Sequence, residues 1–143
     1  DREGEIYFDT SDPFGGVATH EARSDYQTLP MTTIDAEVQR RQLKGPYALK
    51  FDTHGFEVAI LKGAQAALKE TQLIIMECYN FRIEPDSLLF FEMCAYLAEQ
   101  GFRPVDMCEP IIRTGDGALW QMDLFFIRDD HPLFQNISYE GIP

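Results

Sequence analysis

The sequence has few basic residues and no long apolar run. Its 143 residues include 12 Lys and Arg against 24 Asp and Glu, a net charge of −12. A nucleic-acid surface needs clustered Lys and Arg, so this balance argues against nucleic-acid binding. No apolar stretch is long enough to cross a bilayer, and the first residues do not resemble a signal peptide. We therefore expect a cytoplasmic protein that binds neither nucleic acid nor membrane.

Cysteine is also scarce. Cys78, Cys94 and Cys108 lie in apolar segments, at spacings that match no zinc template. Free buried thiols in a reducing compartment are the simplest interpretation of such residues.

What the sequence does contain is an alternation of apolar strands and helical segments, with hydrophobic residues making up 45% of the chain. Strands are predicted at 4–8, 48–51, 73–76, 102–107 and 120–128, with an extended segment at 26–33. Helices are predicted at 34–43, 57–70 and 88–100. Such alternation predicts an α/β fold with a mostly parallel sheet, helices on both faces and a C-terminal antiparallel hairpin.

The length suits one domain, 1–143, with one core. Within it, 1–31 is predicted to be an irregular lead-in with a short strand, because 9–25 is rich in Gly, Asp, Ser and Thr and 12–16 carries strong turn chemistry. The α/β core is predicted at 32–128.

Polar residues follow two strands of the predicted core at their carboxyl ends. Asp52 and His54 follow the strand at 48–51, and Glu77 ends the apolar run at 73–76. In open parallel sheets, ligand sites collect where strands end and helices begin. The ends of the two strands, at positions 52 and 77, are therefore predicted to open onto one shared crevice.

Each of these three residues has more than one interpretation. Asp52 either orients or deprotonates an acceptor hydroxyl, or caps the next helix, or does both. His54, with an ordinary pKa of roughly 6.5, is either a base or a turn residue. Glu77 is costly to bury unless it is paired with substrate, Lys50 or backbone donors. The three are also a weak match to a divalent-cation site, and from the sequence alone we assign no metal.

Further polar residues and glycines in the core are given structural roles. Lys50 lies within a predicted buried strand and Asp123 within an apolar run, so we predict that they form a buried structural ion pair. Gly55 is predicted to adopt a positive φ or to allow close approach of a ligand. Gly63 is predicted to let its helix lie close to the sheet.

Several separated motifs occur in one order along the core. They are TID at 33–35, LKFDTHGFE at 49–57, ILKGA at 60–64, IIME at 74–77, GF at 101–102 and DLFFI at 123–127. Together they resemble the signature of the FkbM-type methyltransferase family, from about Thr32 to Ile127. One departure is His54, where such families more often carry Glu or Gln.

The resemblance implies a partial Rossmann-like methyltransferase fold and an enzyme that uses S-adenosylmethionine to methylate a hydroxyl of a small molecule, often a sugar or natural product. Asp52, His54 and Glu77 are assigned as the catalytic set on the acceptor side. Glu57, Tyr79 and Asn80 are assigned to acceptor binding.

Enzymes of this kind hold the cofactor with a glycine-rich turn after their first strand and an acidic residue after their second. The one G-x-G sequence, at 115–117, lies in the loop of the predicted C-terminal hairpin and not after an early strand. We therefore expect this chain to be the C-terminal half of the fold, inactive alone, with the cofactor-binding residues upstream. The edge of the strand at 48–51 would then be exposed, and self-association is expected. Two alternatives stay open: a non-enzymatic Rossmann-like scaffold, and a metal-dependent hydrolase built on Asp52, His54 and Glu77.

Overall fold

The computed structural model describes residues 1–11, 16 and 18–140. Most of the turn predicted at 12–16 lies outside the described residues. The described strands are β1 (Gly4–Phe8), β2 (Ala18–Thr19), β3 (Gln27–Met31), β4 (Tyr47–Phe51), β5 (Thr71–Tyr79), β6 (Phe102–Ile112) and β7 (Leu119–Arg128). The described helices are α1 (Ile34–Arg41), α2 (Glu57–Lys62), α3 (Ala67–Glu70) and α4 (Phe90–Glu99), followed by a 3-10 turn at Pro132–Gln135. Over this part of the chain, no helix is both long and apolar enough to cross a membrane.

The strands form two sheets. A small antiparallel sheet has the order β2-β1-β3, so the lead-in at 1–31 is more regular than expected. The larger sheet has the order β4-β5-β7-β6. Its β4–β5 pair is parallel, whereas β5–β7 and β6–β7 are antiparallel. The α/β class and the C-terminal hairpin are confirmed, but the mostly parallel sheet is not, because β7 inserts between β5 and β6.

One face of the larger sheet carries the core. Alternate residues of β4, β5 and β7, such as Phe51, Met76 and Leu124, join buried residues of α2, α3 and α4 in a single cluster. The opposite face holds Lys50 and Asp123 and is only partly buried. Helices on both faces are therefore not confirmed, because the buried Leu and Met residues of the described helices belong to one cluster.

The single helix predicted at 57–70 is broken into α2 and α3. Gly63 is the C-cap of α2, and its carbonyl accepts a hydrogen bond of 3.0 Å from the backbone N–H of Asp35. The Asp35 carboxylate in turn accepts hydrogen bonds of 2.9 Å and 2.8 Å from the N–H groups of Ala66 and Ala67 at the start of α3. The segment between the helices is therefore attached to the first turn of α1.

The predicted role of Gly63 is corrected by these contacts. A Cβ at this position would lie 3.0 Å from the Cβ of Thr33, which is the N-cap residue of α1. The close approach that requires glycine is thus between α2 and the start of α1, and not between the helix and the sheet.

Candidate active site at the ends of two parallel strands

The parallel pairing of β4 and β5 brings Asp52 and Glu77 to the same edge of the sheet. Phe51 is paired with Met76, so Asp52 and Glu77 follow at the same level, although β4 ends at Phe51 and β5 continues through Glu77 to Tyr79. The Nε2 atom of His54 lies 3.7 Å from Asp52 Oδ1 and 3.6 Å from Glu77 Oε2. One nitrogen or oxygen atom from each of the three residues lies within 4.8 Å of the others. Asp52 and Glu77 therefore lie close together, as predicted. A crevice shared by both stays a prediction, because the cleft beside β4 is lined by Asp52 and not by Glu77.

His54 is held in place by a tight turn between β4 and α2. His54 has φ +48° and Gly55 has φ +104°, which confirms the positive φ predicted for Gly55. The turn is closed by the buried carboxylate of Glu57, whose Oε1 accepts hydrogen bonds from Thr53 Oγ1 at 3.1 Å and from the Gly55 N–H at 2.9 Å. Glu57 thus holds the turn that carries His54, and its role in acceptor binding stays a prediction.

The alternative role of Asp52 as a helix cap is not supported. The N-cap residue of α2 is Phe56, and no side chain caps this helix by a hydrogen bond in the described structure. Asp52 instead points at its neighbours: Oδ2 lies 3.2 Å from Lys50 Nζ, and Oδ1 faces His54. Its side chain is 54% exposed, so it remains accessible to an acceptor.

Glu77 is clamped through both carboxylate oxygens. Tyr79 donates its hydroxyl hydrogen to Oε2 at 2.6 Å, and the Gln121 side-chain amide donates to Oε1. Only 13% of the Glu77 side chain is exposed. This burial raises the pKa of Glu77, whereas the Tyr79 hydrogen bond acts in the opposite direction. The partners of Glu77, which the sequence left open, are therefore side chains of β5 and β7.

Sequence reasoning missed Gln121. The residue lies across from Tyr79 in the antiparallel β5–β7 pair, a register that the local pattern of either strand does not specify. The available signal was a polar residue within the apolar strand 119–127, where a buried amide needs a partner.

The polar groups of Tyr79 and Asn80 are used inside the protein. Tyr79 is 7% exposed, and its ring packs edge-on against Trp120 at 6.1 Å and lies 6.4 Å from the His54 ring. Asn80 donates its backbone N–H to the Trp120 carbonyl at 2.9 Å and its side-chain amide to the Leu119 carbonyl at 3.2 Å. Tyr79 therefore orients Glu77, and Asn80 ties the end of β5 to β7.

The predicted buried ion pair of Lys50 and Asp123 is wrong. The Lys50 side chain is 55% exposed and pairs with Asp52. This pairing raises the pKa of Lys50. Asp123 is half-buried on β7. The reason for the error is that the face of β4 carrying Lys50 is not covered by a helix, so no buried charge had to be neutralised.

Comparison with known proteins gives one family match. The family described as Methyltransferase FkbM domain matches residues 3–104. The chain belongs to this family. Searches of curated proteins and of solved structures gave no match. The matched range contains Asp52, His54 and Glu77, and it extends into the lead-in, so the small first sheet is part of the FkbM domain.

In this FkbM domain, a cleft of about 880 Å³ lies beside β4. Its lining is mainly apolar and comes from the first sheet, α1, β4 and α2, and it includes Asp52, Thr53 and His54. A volume of this size is typical of small-molecule sites, which combine apolar walls with a few convergent polar groups. The cleft therefore offers space for a small molecule next to the imidazole and the Asp52 carboxylate.

Proposed function

We propose that this FkbM-family domain supplies the acceptor side of an enzyme that transfers a methyl group from S-adenosylmethionine to a hydroxyl of a sugar or natural product. The observation that carries the proposal is the convergence of Asp52, His54 and Glu77 within 4.8 Å at the ends of β4 and β5, inside the range matched by the methyltransferase family. The apolar cleft beside Asp52 and His54 supports a small-molecule acceptor.

The proposed chemistry is removal of the acceptor proton. Methylation of a hydroxyl depends on positioning, and the hydroxyl proton must leave as the oxygen becomes alkylated. His54 Nε2 is the group best placed to take this proton, because a neutral imidazole nitrogen accepts a proton and this one faces both carboxylates. Asp52 and Glu77, 3.7 Å and 3.6 Å from Nε2, would stabilise the imidazolium that forms. In this scheme Tyr79, Gln121 and Glu57 are positioning residues.

We propose that the binding site for the methyl donor lies outside this chain. No G-x-G sequence follows β4 or β5, and Glu57 is used to close its own turn. The described residues therefore do not fit the nucleotide of the donor, and we derive no step through it. We propose that the donor is held by a cofactor-binding half that pairs along β4, whose one partner among the described strands is β5. Self-association of the isolated chain through this edge follows from the same proposal.

The three free cysteines support a reducing, cytoplasmic location.

The test is methyl transfer by the protein expressed from its whole gene. Release of S-adenosylhomocysteine is measured with a panel of hydroxylated sugars and natural products, together with calorimetric binding of S-adenosylmethionine. We expect turnover with at least one acceptor class, and a fall of about a hundredfold to ten-thousandfold in kcat for His54→Gly. Glu99→Gln, which changes an exposed carboxylate in the last turn of α4, is the matched control and should leave kcat unchanged.

The other outcomes of this test separate the alternatives. A protein that binds no S-adenosylmethionine would favour the non-enzymatic scaffold. The protein could also bind the donor while the His54→Gly variant is as active as the wild type. This result would exclude the proposed catalytic roles of Asp52, His54 and Glu77. Hydrolysis of an ester or phosphate that depends on a bound metal would favour the hydrolase, against which the family match argues.

A further inference from the structure

We infer that Asp52, His54 and Glu77 bind one divalent cation of the Mn²⁺ or Zn²⁺ class. The three side chains offer one imidazole nitrogen and two carboxylate oxygens, all within 4.8 Å of one another. Bonds from such cations to nitrogen or oxygen are about 2.0–2.2 Å long, so two ligands of one ion lie up to about 4.4 Å apart. Shifts of a few tenths of an ångström would bring all three atoms onto one ion.

The mixed donor set selects the kind of cation. Imidazole suits zinc and iron, whereas carboxylates suit manganese and magnesium, so one His with two carboxylates suits a borderline ion. Ca²⁺ takes oxygen ligands only and would not use His54. We therefore expect Mn²⁺ and Zn²⁺ to bind more tightly than Ca²⁺.

Two of the three ligands are held by neighbouring groups, as is usual in metal sites. Tyr79 and Gln121 fix the Glu77 carboxylate through one hydrogen bond to each oxygen, which leaves lone pairs on Oε2 free to face His54. Glu57 holds both neighbours of His54, through the Thr53 hydroxyl and the Gly55 backbone N–H. An incoming cation would therefore meet ligands whose orientation is already set.

The charges around the cluster also favour a cation. Two carboxylates converge on one imidazole, and the Lys50 ammonium lies 3.2 Å from Oδ2 of Asp52. The Oδ1 atom, which faces His54, is the one a cation would use. Lys50 then becomes a competing positive charge next to the site, and its removal should strengthen cation binding.

The site is open on one side, because 54% of the Asp52 side chain and 31% of the His54 side chain are exposed. Three protein ligands leave positions for further ligands on the ion. If the proposed methyl transfer holds, an acceptor hydroxyl would occupy one of them. The cation would then replace His54 as the group that promotes loss of the hydroxyl proton, because Nε2 would be bound to the ion. A cation withdraws electron density from a bound oxygen, so the O–H bond breaks more readily: the proton passes to water and the oxygen keeps the electron pair.

The direct test is a Mn²⁺ titration of the 143-residue protein at pH 7.5, with free Mn²⁺ measured by electron paramagnetic resonance. We expect one saturable site per chain, and binding at least tenfold weaker in His54→Gly and in Glu77→Gln. His54→Gly suits the left-handed φ of +48° at this position, and Glu77→Gln keeps the side-chain shape. Glu99→Gln removes one exposed carboxylate elsewhere and should bind Mn²⁺ as the wild type does.

Lys50→Met is a second test of the cation site that does not alter a ligand. Because Lys50 is exposed, we expect this variant to fold, and it should bind Mn²⁺ several-fold more tightly than the wild type. Circular dichroism checks the fold of each variant. The inference is overturned if the wild type shows no saturable site, or if a folded Asp52→Asn/Glu77→Gln double variant binds Mn²⁺ equally well.

A second measurement separates this inference from the proposed function. Turnover of the protein expressed from its whole gene is followed after treatment with a chelator. Loss of methyl transfer on chelation, with recovery on addition of Mn²⁺, supports both. Saturable Mn²⁺ binding without methyl transfer overturns the proposed function alone. Methyl transfer that is insensitive to chelation, together with no Mn²⁺ binding, overturns the cation site alone.

Discussion

The Tyr79 hydroxyl donates a 2.6 Å hydrogen bond to Oε2 of Glu77, the same oxygen that lies 3.6 Å from His54 Nε2. Tyr79 and Glu77 are two residues apart on β5, so their side chains lie on the same face of the sheet. One hydrogen bond along the strand therefore sets the direction in which the Glu77 carboxylate faces the imidazole.

Tyr79→Phe should release Glu77 from this orientation. We expect a loss of about 1 kcal/mol in the free energy of unfolding, because one partly buried hydrogen bond is removed. We also expect the pKa of Glu77 to rise further, since the hydroxyl stabilises the ionised carboxylate. Urea denaturation measures the first effect, and a ¹³C NMR titration of the Glu77 carboxyl carbon measures the second. Tyr96→Phe, at a half-buried tyrosine of α4, is the control. An unchanged Glu77 pKa in Tyr79→Phe would contradict the proposed orienting role.

Glu77 should also make the stability of the protein depend on pH. Burial raises its folded-state pKa above the ordinary value of 4.5, so the folded state binds the proton more tightly than the unfolded chain does. Its contribution therefore favours folding below about pH 4.5 and is lost as the pH rises through the folded pKa. Glu77→Gln has no proton to lose, so the stability of the wild type relative to this variant should fall between pH 4 and pH 7. Urea denaturation of both proteins across this range checks the sign, and a constant difference would count against it.

Asp35 should contribute to stability through α3. Its carboxylate accepts hydrogen bonds of 2.9 Å and 2.8 Å from the N–H groups of Ala66 and Ala67, which start that helix. Asp35→Ala leaves both donors without this partner and should cost about 1–2 kcal/mol, the usual cost of losing a helix cap. Asp35→Asn keeps one acceptor oxygen and should cost less. Thermal and urea unfolding of the two variants test the order, and equal stability of Asp35→Ala and the wild type would refute it.

Gly63 should not tolerate a side chain. A Cβ there would lie 3.0 Å from Thr33 Cβ and 3.1 Å from its Cγ2, so α1 and α2 would have to move apart. We expect Gly63→Ala to cost about 1–3 kcal/mol, as overpacking usually does. Gly115→Ala is the matched control, because a Cβ at 115 meets no atom within 4 Å in the described structure. Similar melting temperatures for the two variants would show that Thr33 can yield without cost.

Much of the site was predictable from local patterns. The apolar runs that become β4 and β5, the polar residues at their ends and the glycine at 55 are short-range features, and each depends on a few neighbouring residues. Two adjacent parallel strands bring their carboxyl ends to one edge of the sheet. The sequence therefore predicted that Asp52, His54 and Glu77 would meet, and the motif order indicated the family that the domain match confirmed.

The tertiary structure decided what holds these residues and what surrounds them. Gln121 contacts Glu77, 44 residues earlier in the chain, because β7 inserts beside β5. Asp35 accepts a hydrogen bond from Ala66, 31 residues later, at the start of α3. Lys50 is exposed because none of the described helices covers its face of β4. Such contacts depend on which distant strand or helix packs against a segment. Pairing of this kind is selected by the free energy of the whole assembled core, so the pattern of either segment alone does not specify it.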